Sequence, residues 1–180
     1  MIHLTVARKY ARAFLEISLQ AGNYDLLGQE MGILADVLKM NKELRTVLFS
    51  AVYPAATRKR IIQAIADPLG LSPTTLHFID LLIDRERMDH FIEVARAYEN
   101  LSDAVANRVR ATLFTAGEIT PELVKTIKGQ LEVATGKEVI LAVEEDPSLM
   151  GGVMARIGHV IYDGSLMTQF QKIRENLYKE

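Results

Sequence analysis

Apolar positions in roughly the first hundred residues recur at intervals of three and four, the spacing that places side chains on one face of an α-helix. In the segment 23–39, for instance, Leu27, Met31, Leu34 and Leu38 follow this spacing. Together with turn and capping signals, the spacing predicts six helices, at residues 5–19, 23–39, 41–48, 54–66, from 72 onward, and from 91 to 105. We therefore predict that the chain begins with a six-helix bundle.

The pattern changes at Asn107, after which apolar and polar residues alternate as they do in β-strands. The signals predict, in order, a strand at 108–115, a helix opened by Thr120-Pro121, a strand at 138–144, a β-hairpin with strands at 153–157 and 160–162, and a last helix from Ser165. An all-helical block followed by β-α-β-β-β-α indicates an α+β protein with two domains. We place the domains at residues 1–105 and 106–180, the second being a small α/β region with a β-hairpin.

The charge balance gives no support to a nucleic-acid partner. The chain carries 21 basic and 23 acidic residues, a net charge of −2, and neither half has a basic excess. It contains no cysteine, which excludes disulfides, thiolate metal sites and cysteine nucleophiles. Arg8, Lys9 and Arg12 interrupt the first apolar residues, and no apolar run approaches the roughly 20 residues of a membrane span. We expect a soluble protein.

Patterns typical of catalysis are also missing. Gly136-Lys137 is followed by Glu138, so the phosphate-loop motif fails. The four histidines are scattered singly along the chain, which argues against a metal site. Adjacent acidic residues, as at 144–146, are better interpreted as solvated charge than as paired carboxylates for acid–base chemistry. We predict no catalytic, cofactor-binding or metal-binding residues, and a monomer without enzymatic activity of its own.

The first helix is apolar over an unusually wide arc. Two rows of residues cover about 200° of its circumference, whereas burial of one side needs little more than about 100°. The rows are Val6, Tyr10, Ala13 and Ile17, and Ala7, Ala11, Phe14 and Leu15. The fifth helix is equally wide, because one set of apolar residues extends the stripe made by another. The first set is Phe78, Leu81 and Leu82, and the second is Leu76, Ile79 and Ile83.

Two interpretations of these wide helices remain open. Both helices bury one side in the bundle and present the other to a partner helix, or each is a central helix that its own domain covers on all sides. The second helix is nearly as broad, through Leu26, Ile33 and Val37, so the width of the arc does not choose between them.

Three segments resemble a known family: VARKYARAF from Val6, the stretch 83–88 after the fifth helix, and the run from DPSLMGG to DGS between Asp146 and Ser165. The last is the most specific, because its turns, short strands and helix start occur in a fixed order. The chain is similar over essentially its whole length to the δ-subunit family of the F-type ATP synthase, which includes the mitochondrial oligomycin-sensitivity-conferring protein. The resemblance implies a non-catalytic stator subunit that couples proton-driven rotation to ATP synthesis. A helical adaptor or regulatory module of another assembly is the alternative, but it leaves the closing hairpin motif unexplained.

The resemblance also implies partners, a location and a site. In the family, the six-helix domain sits on the catalytic head and grips the N-terminal helix of an α subunit between its first and fifth helices. The smaller domain meets the peripheral stalk, through the C-terminal region of a b subunit. The protein would then lie at the cytoplasmic face of the cell membrane and reach the membrane only through the complex. The residues expected to bind the α-subunit helix are Tyr10, Ala13, Phe14, Ile17, Leu76, Ile79, Leu82 and Ile83.

Overall fold

A computed structural model describes the backbone of residues 2–177 and the side chains of residues 5–170 and 174. The chain divides into two compact units, Met1–Val105 and Ala106–Glu180. Within the described residues there are eight α-helices and one four-stranded sheet, which confirms the α+β class. The first unit contains α1 (Ile2–Gln20), α2 (Tyr24–Met40), α3 (Lys42–Phe49), α4 (Ala55–Leu69), α5 (Pro73–Asp84), a 3-10 turn (Met88–His90) and α6 (Phe91–Val105).

The core of the first unit forms where α1 and α2 pack against α6. The predicted stripe on α2, Leu27, Met31, Leu34 and Leu38, is fully buried there. On α1, the buried row begins with the small residues Ala7 and Ala11. Their short side chains allow the backbones of α1 and α6 to approach closely. The helical spacing in the sequence therefore identified the core face of α2 correctly.

Turn chemistry sets the ends of several helices in this unit. Ser72, where the sequence predicts the fifth helix to begin, caps α5, because its Oγ accepts a hydrogen bond from the backbone N–H of Thr75 at 3.4 Å. Asn41 caps α3 in the same way, with a 2.9 Å bond from Leu44 N–H to its side chain. Helix α4 continues past its predicted end at residue 66 to Leu69, with Pro68 in its last turn, and Gly70 closes the helix in a left-handed conformation.

The second unit is a mixed sheet with a covering helix. Its elements are β1 (Arg108–Thr115), α7 (Pro121–Thr135), β2 (Glu138–Glu145), a 3-10 turn (Pro147–Leu149), β3 (Val153–Ile157), β4 (Val160–Asp163) and α8 (Leu166–Leu177). The strand order is β2-β1-β3-β4. β1 and β2 are parallel and joined through α7, whereas β3 pairs antiparallel with both β1 and β4. Ala111, Leu113, Val139 and Ala155 of the sheet form the core with Leu131 of α7.

The closing motif packs two turns against each other. Gly151 and Gly152 have φ angles of +133° and +81°, which residues with a Cβ rarely adopt. A Cβ on Gly152 would lie 2.5 Å from the carbonyl oxygen of Gly164. The chain is held there by hydrogen bonds from Gly164 N–H to Val153 O and from Leu166 N–H to Gly151 O, both 3.0 Å long. Asp163 accepts a 2.8 Å bond from Ser165 N–H, so DGS starts α8 at this junction.

Arg58 of α4 is a buried cation in the first unit. Its side chain is 2% exposed, and its Nη2 donates to Glu86 Oε1 at 2.6 Å. Glu86 lies in the turn after α5 and has a positive φ of 51°, an unusual conformation for a residue with a side chain. The neighbouring pair, Lys59 Nζ to Asp84 Oδ2 at 2.7 Å, also joins α4 to the end of α5. The two contacts fix the C-terminal end of α5 to α4.

We predict that Glu86→Ala lowers the free energy of unfolding by about 2 kcal/mol, because it leaves the buried Arg58 without its carboxylate. Urea denaturation of the full chain, followed by far-ultraviolet circular dichroism, measures this change. Glu16→Ala is the matched control, because the Arg12–Glu16 pair is highly exposed and its loss should cost less than about 0.5 kcal/mol. Equal losses in the two variants would contradict the prediction.

Candidate functional site

The two apolar rows of α1 have different environments. Ala7, Ala11 and Phe14 belong to the buried row and are at most 1% exposed. In the other row, Tyr10 is half-buried, Ala13 is exposed, and Ile17 keeps 52% of its surface in contact with solvent. One side of α1 therefore belongs to the core, and the other presents apolar side chains on the surface of this unit.

Helix α5 does not present to solvent most of the residues that the sequence analysis expects to bind a partner helix. Ile79, Leu82 and Ile83 are fully buried, and Leu76 is partly buried against the same core. These positions are covered because α5 packs against both α4 and α2. We expected Ile79, Leu82 and Ile83 to contact a partner, but they are core residues. The same correction applies to Phe14 of α1. For α5, the interpretation as a central helix describes most of its apolar surface.

The exposed apolar residue of α5 is Leu81, which is 43% exposed. It lies one turn beyond Phe78, on the side of the helix that points away from Leu76. The sequence showed that Leu81 widens the apolar stripe, but it did not show which edge of the stripe stays uncovered. That edge depends on where α4 and α2 lie, which the helical spacing of α5 alone does not contain.

A stacked aromatic pair joins α1 to α5. The ring centroids of Phe14 and Phe78 are 4.2 Å apart at an interplanar angle of 19°. Tyr10 and Ile17 each lie about one helical turn from Phe14, and Leu81 lies one turn from Phe78. We call Tyr10, Ala13, Ile17 and Leu81, which flank this stack, the α1–α5 strip. Exposed polar residues border it, including Lys9 and Gln20 on α1 and His77 on α5.

Tyr98 of α6 packs against the Phe14 ring of this stack. Its ring centroid lies 5.3 Å from that of Phe14, and its hydroxyl lies 2.8 Å from both the Ser18 hydroxyl and the Tyr24 carbonyl oxygen. Burial raises the pKa of Tyr98 above its ordinary value of 10.0, and the negative charge of Asp25 acts in the same direction, whereas the hydrogen bond with Ser18 opposes the shift. The neutral phenol is therefore the form that this core accommodates.

The second unit has an apolar cavity of about 420 Å³ between α7 and the β3–β4 side of the sheet. Helix α7 connects β1 to β2, so we expect it to cover these two strands more than it covers the β3–β4 hairpin on the same face of the sheet. Most of the lining is apolar: Leu113, Ile127, Leu131, Ala134, Val153, Ala155 and Tyr162, with Gln130, Asp163 and Gly164. Helix α8 starts at the edge of the cavity and exposes Leu166, Met167 and Phe170, the last at 66%. We call Tyr162, Leu166, Met167 and Phe170 the β4–α8 surface.

The described residues offer little for chemistry or membrane insertion. Among the residues whose side chains the structure describes, 5–170 and 174, no group of three or more His, Asp or Glu side chains is placed to hold a metal ion. Gly136 closes α7 in a left-handed conformation, and its N–H bonds to Glu132 O at 2.9 Å, so it belongs to a helix end rather than a phosphate loop. Within the same residues, no helix is long and apolar enough to cross a membrane. Both candidate surfaces are suited to contacts with apolar side chains of another protein.

Comparison with known proteins identifies relatives of the whole chain. Residues 6–177 match the family described as ATP synthase delta (OSCP) subunit. Proteins named ATP synthase subunit delta from Myxococcus xanthus and Syntrophus aciditrophicus are 34% and 36% identical to the chain, and each alignment covers 98% of both proteins. Among solved structures, a chain of the Toxoplasma gondii mitochondrial ATP synthase hexamer shares the fold, with a TM-score of 0.69 at 16% identity over 96% of this chain and 97% of that one.

We predict that Tyr98→Phe destabilises the protein at neutral pH and that the difference from wild type shrinks above about pH 10. The raised pKa means that Tyr98 stabilises the folded state below the pKa of the unfolded state, and this contribution is lost as the pH rises towards the folded-state pKa. Urea denaturation of both proteins between neutral and strongly alkaline pH measures the difference. Tyr53→Phe, which alters an exposed ring, controls for loss of a hydroxyl. A difference that stays constant with pH would contradict the prediction.

Proposed function

Because the chain belongs to the ATP synthase delta (OSCP) subunit family, we propose that it serves as the stator subunit of an F-type ATP synthase through two separate surfaces, one on each unit. The protein is a structural, non-catalytic subunit of that membrane-associated complex. Rotary catalysis requires the catalytic head to stay still while the central shaft turns. A stator subunit therefore acts by binding firmly at two places, and it needs no reactive residue.

The first surface is the α1–α5 strip, whose proposed partner is the N-terminal helix of an α subunit on the catalytic head. The observation that carries this assignment is the row Tyr10, Ala13 and Ile17, which is apolar but stays half-buried at Tyr10 and exposed at Ala13 and Ile17, although the other row of α1 fills the core. Ala13 is small and stands between two larger residues of the row, so an approaching helix can come close to the α1 backbone. Phe14 and Phe78 support the strip from the core.

The second surface is the β4–α8 surface with the adjoining cavity, whose proposed partner is the C-terminal region of the peripheral-stalk b subunit. An apolar cavity beside the exposed apolar residues at the start of α8 offers both a pocket for anchoring side chains and a wider apolar contact. In this proposal, Met1–Val105 acts as the six-helix domain for the head and Ala106–Glu180 as the stalk domain. The complex would hold the protein at the cytoplasmic face of the cell membrane.

Ala13→Asp tests the first surface. It places an unpaired charge under a docked helix, so we expect the affinity for a synthetic α-subunit N-terminal peptide to fall by at least about a hundredfold. Because Ala13 is exposed, the variant should keep its helical circular dichroism spectrum. Isothermal titration calorimetry measures the affinity.

Leu19→Asp is the matched control for this experiment. Leu19 is also exposed on α1, but it lies about 120° around the helix from Ala13. It should bind the peptide as wild type does. Normal binding by folded Ala13→Asp would reject the α1–α5 strip as the α-subunit site.

Phe170→Glu tests the second surface. Phe170 is 66% exposed, so the charge should leave the fold intact while weakening an apolar contact by roughly tenfold or more. Co-purification of tagged full-length protein with the b subunit from solubilised membranes measures the effect. Val133→Glu, at an 87% exposed position of α7, should retain the b subunit. Loss of the b subunit in both variants, or in neither, would argue against the β4–α8 surface.

A further inference from the structure

A buried carboxylate from α2 holds the N-terminal end of α5. Glu30 is 3% exposed, and its Oε2 accepts hydrogen bonds from the backbone N–H of Ser72 at 3.0 Å and from the Ser72 hydroxyl at 2.8 Å. The buried hydroxyl of Thr75 donates to the same oxygen. One carboxylate oxygen of α2 therefore receives three donors from the start of α5.

These bonds are additional to the cap that α5 makes for itself. Ser72 Oγ accepts from Thr75 N–H, which is the usual bond of an N-cap residue. Glu30 adds an acceptor from a different helix, and its position places negative charge at the positive end of the α5 dipole. The cap and the carboxylate together tie the first turn of α5 to the middle of α2.

The cost of this arrangement points to a geometric role. Removing a carboxylate from water is unfavourable, and a well-packed apolar residue of similar size often contributes as much to stability or more. Directed hydrogen bonds to one oxygen, in contrast, restrict both the axial position and the rotation of α5. At its other end, α5 is fixed to α4 by the Lys59–Asp84 pair and through the Arg58–Glu86 contact in the following turn.

We propose that Glu30 is a positioning residue for the α1–α5 strip, because it sets the place of α5 opposite α1. The inference rests on the proposed binding of an α-subunit helix to that strip. Phe78 and Leu81 follow Thr75 by three and six residues, about 4.5 and 9 Å along the helix axis. A shift at the first turn of α5 therefore carries through the helix to the stacked ring and to the exposed leucine of the strip.

Two substitutions at this position separate the hydrogen-bond acceptor from the size of the side chain. Glu30→Met keeps a similar length but has no comparable acceptor, whereas Glu30→Gln keeps an acceptor oxygen for the three donors. The full-length variants are titrated calorimetrically with the synthetic α-subunit N-terminal peptide, at a temperature where circular dichroism finds each folded. We expect Glu30→Met to weaken binding by roughly tenfold, and Glu30→Gln to bind the peptide as wild type does.

Leu48→Ala is the matched control for lost stability. Leu48 is a fully buried residue of α3, and its truncation leaves a cavity in the same core without removing a hydrogen bond to α5. A positioning role requires this variant to bind as wild type does even where its thermal midpoint falls as far as that of Glu30→Met. Equal losses of affinity in the two variants, or unchanged affinity in Glu30→Met, would overturn the proposal.

Thr75→Val provides a second route if Glu30→Met does not fold. It removes the hydroxyl that donates to Glu30 while keeping the shape of the side chain, and it should weaken binding of the peptide by about threefold. Unchanged affinity in a folded Thr75→Val protein would overturn the positioning role. A wild-type protein that fails to bind the peptide would instead overturn the proposed function, and this inference with it.

Discussion

The first unit depends on a cluster of aromatic rings that touches four of its helices. Phe14 of α1 stacks on Phe78 of α5 and contacts Tyr98 of α6. Tyr98 in turn reaches α2, where a Cβ on Gly28 would lie 3.1 Å from its ring, and its hydroxyl lies 2.8 Å from the Tyr24 carbonyl oxygen. Because interiors are close-packed, moving any one of these rings displaces the others. The surface that flanks the stack therefore inherits its shape from the core.

The sequence predicted the helices and strands well, but it predicted the coverage of their apolar sides only in part. On α2, the stripe of Leu27, Met31, Leu34 and Leu38 is buried as expected. A single apolar row has only one side to bury, so its position on the helix already identifies the side that faces the core. On α1, both rows were apolar, and the packing of α6 and of Phe78 from α5 on one of them separated core from surface. On α5, Ile79 and its neighbours were assigned to a partner, whereas α4 and α2 already cover them. Periodicity reports which residues avoid water, not which protein covers them.

The closing motif was predictable for a different reason. Its residues are selected by backbone geometry, since Gly151 and Gly152 have positive φ angles and Gly152 lies against the Gly164 carbonyl group. Such requirements appear in the sequence directly, because few residues other than glycine satisfy them. The cavity beside α7, in contrast, follows from where the helix crosses the sheet, and the alternation of the strands gives no sign of it. Glu30 was likewise invisible, because its three donors are some 42 to 45 residues away along the chain.

The strand order leaves β4 at one border of the sheet, and this has a consequence for the protein before it joins its complex. β4 exposes Val160, Ile161 and Tyr162, and no described strand pairs with its outer side. An apolar edge strand of this kind is a template for pairing with other chains, which promotes aggregation. With four residues, β4 offers few hydrogen bonds to such a chain. The shortness of β4 thus limits self-association through backbone hydrogen bonds, while its exposed apolar side chains can still contact another subunit.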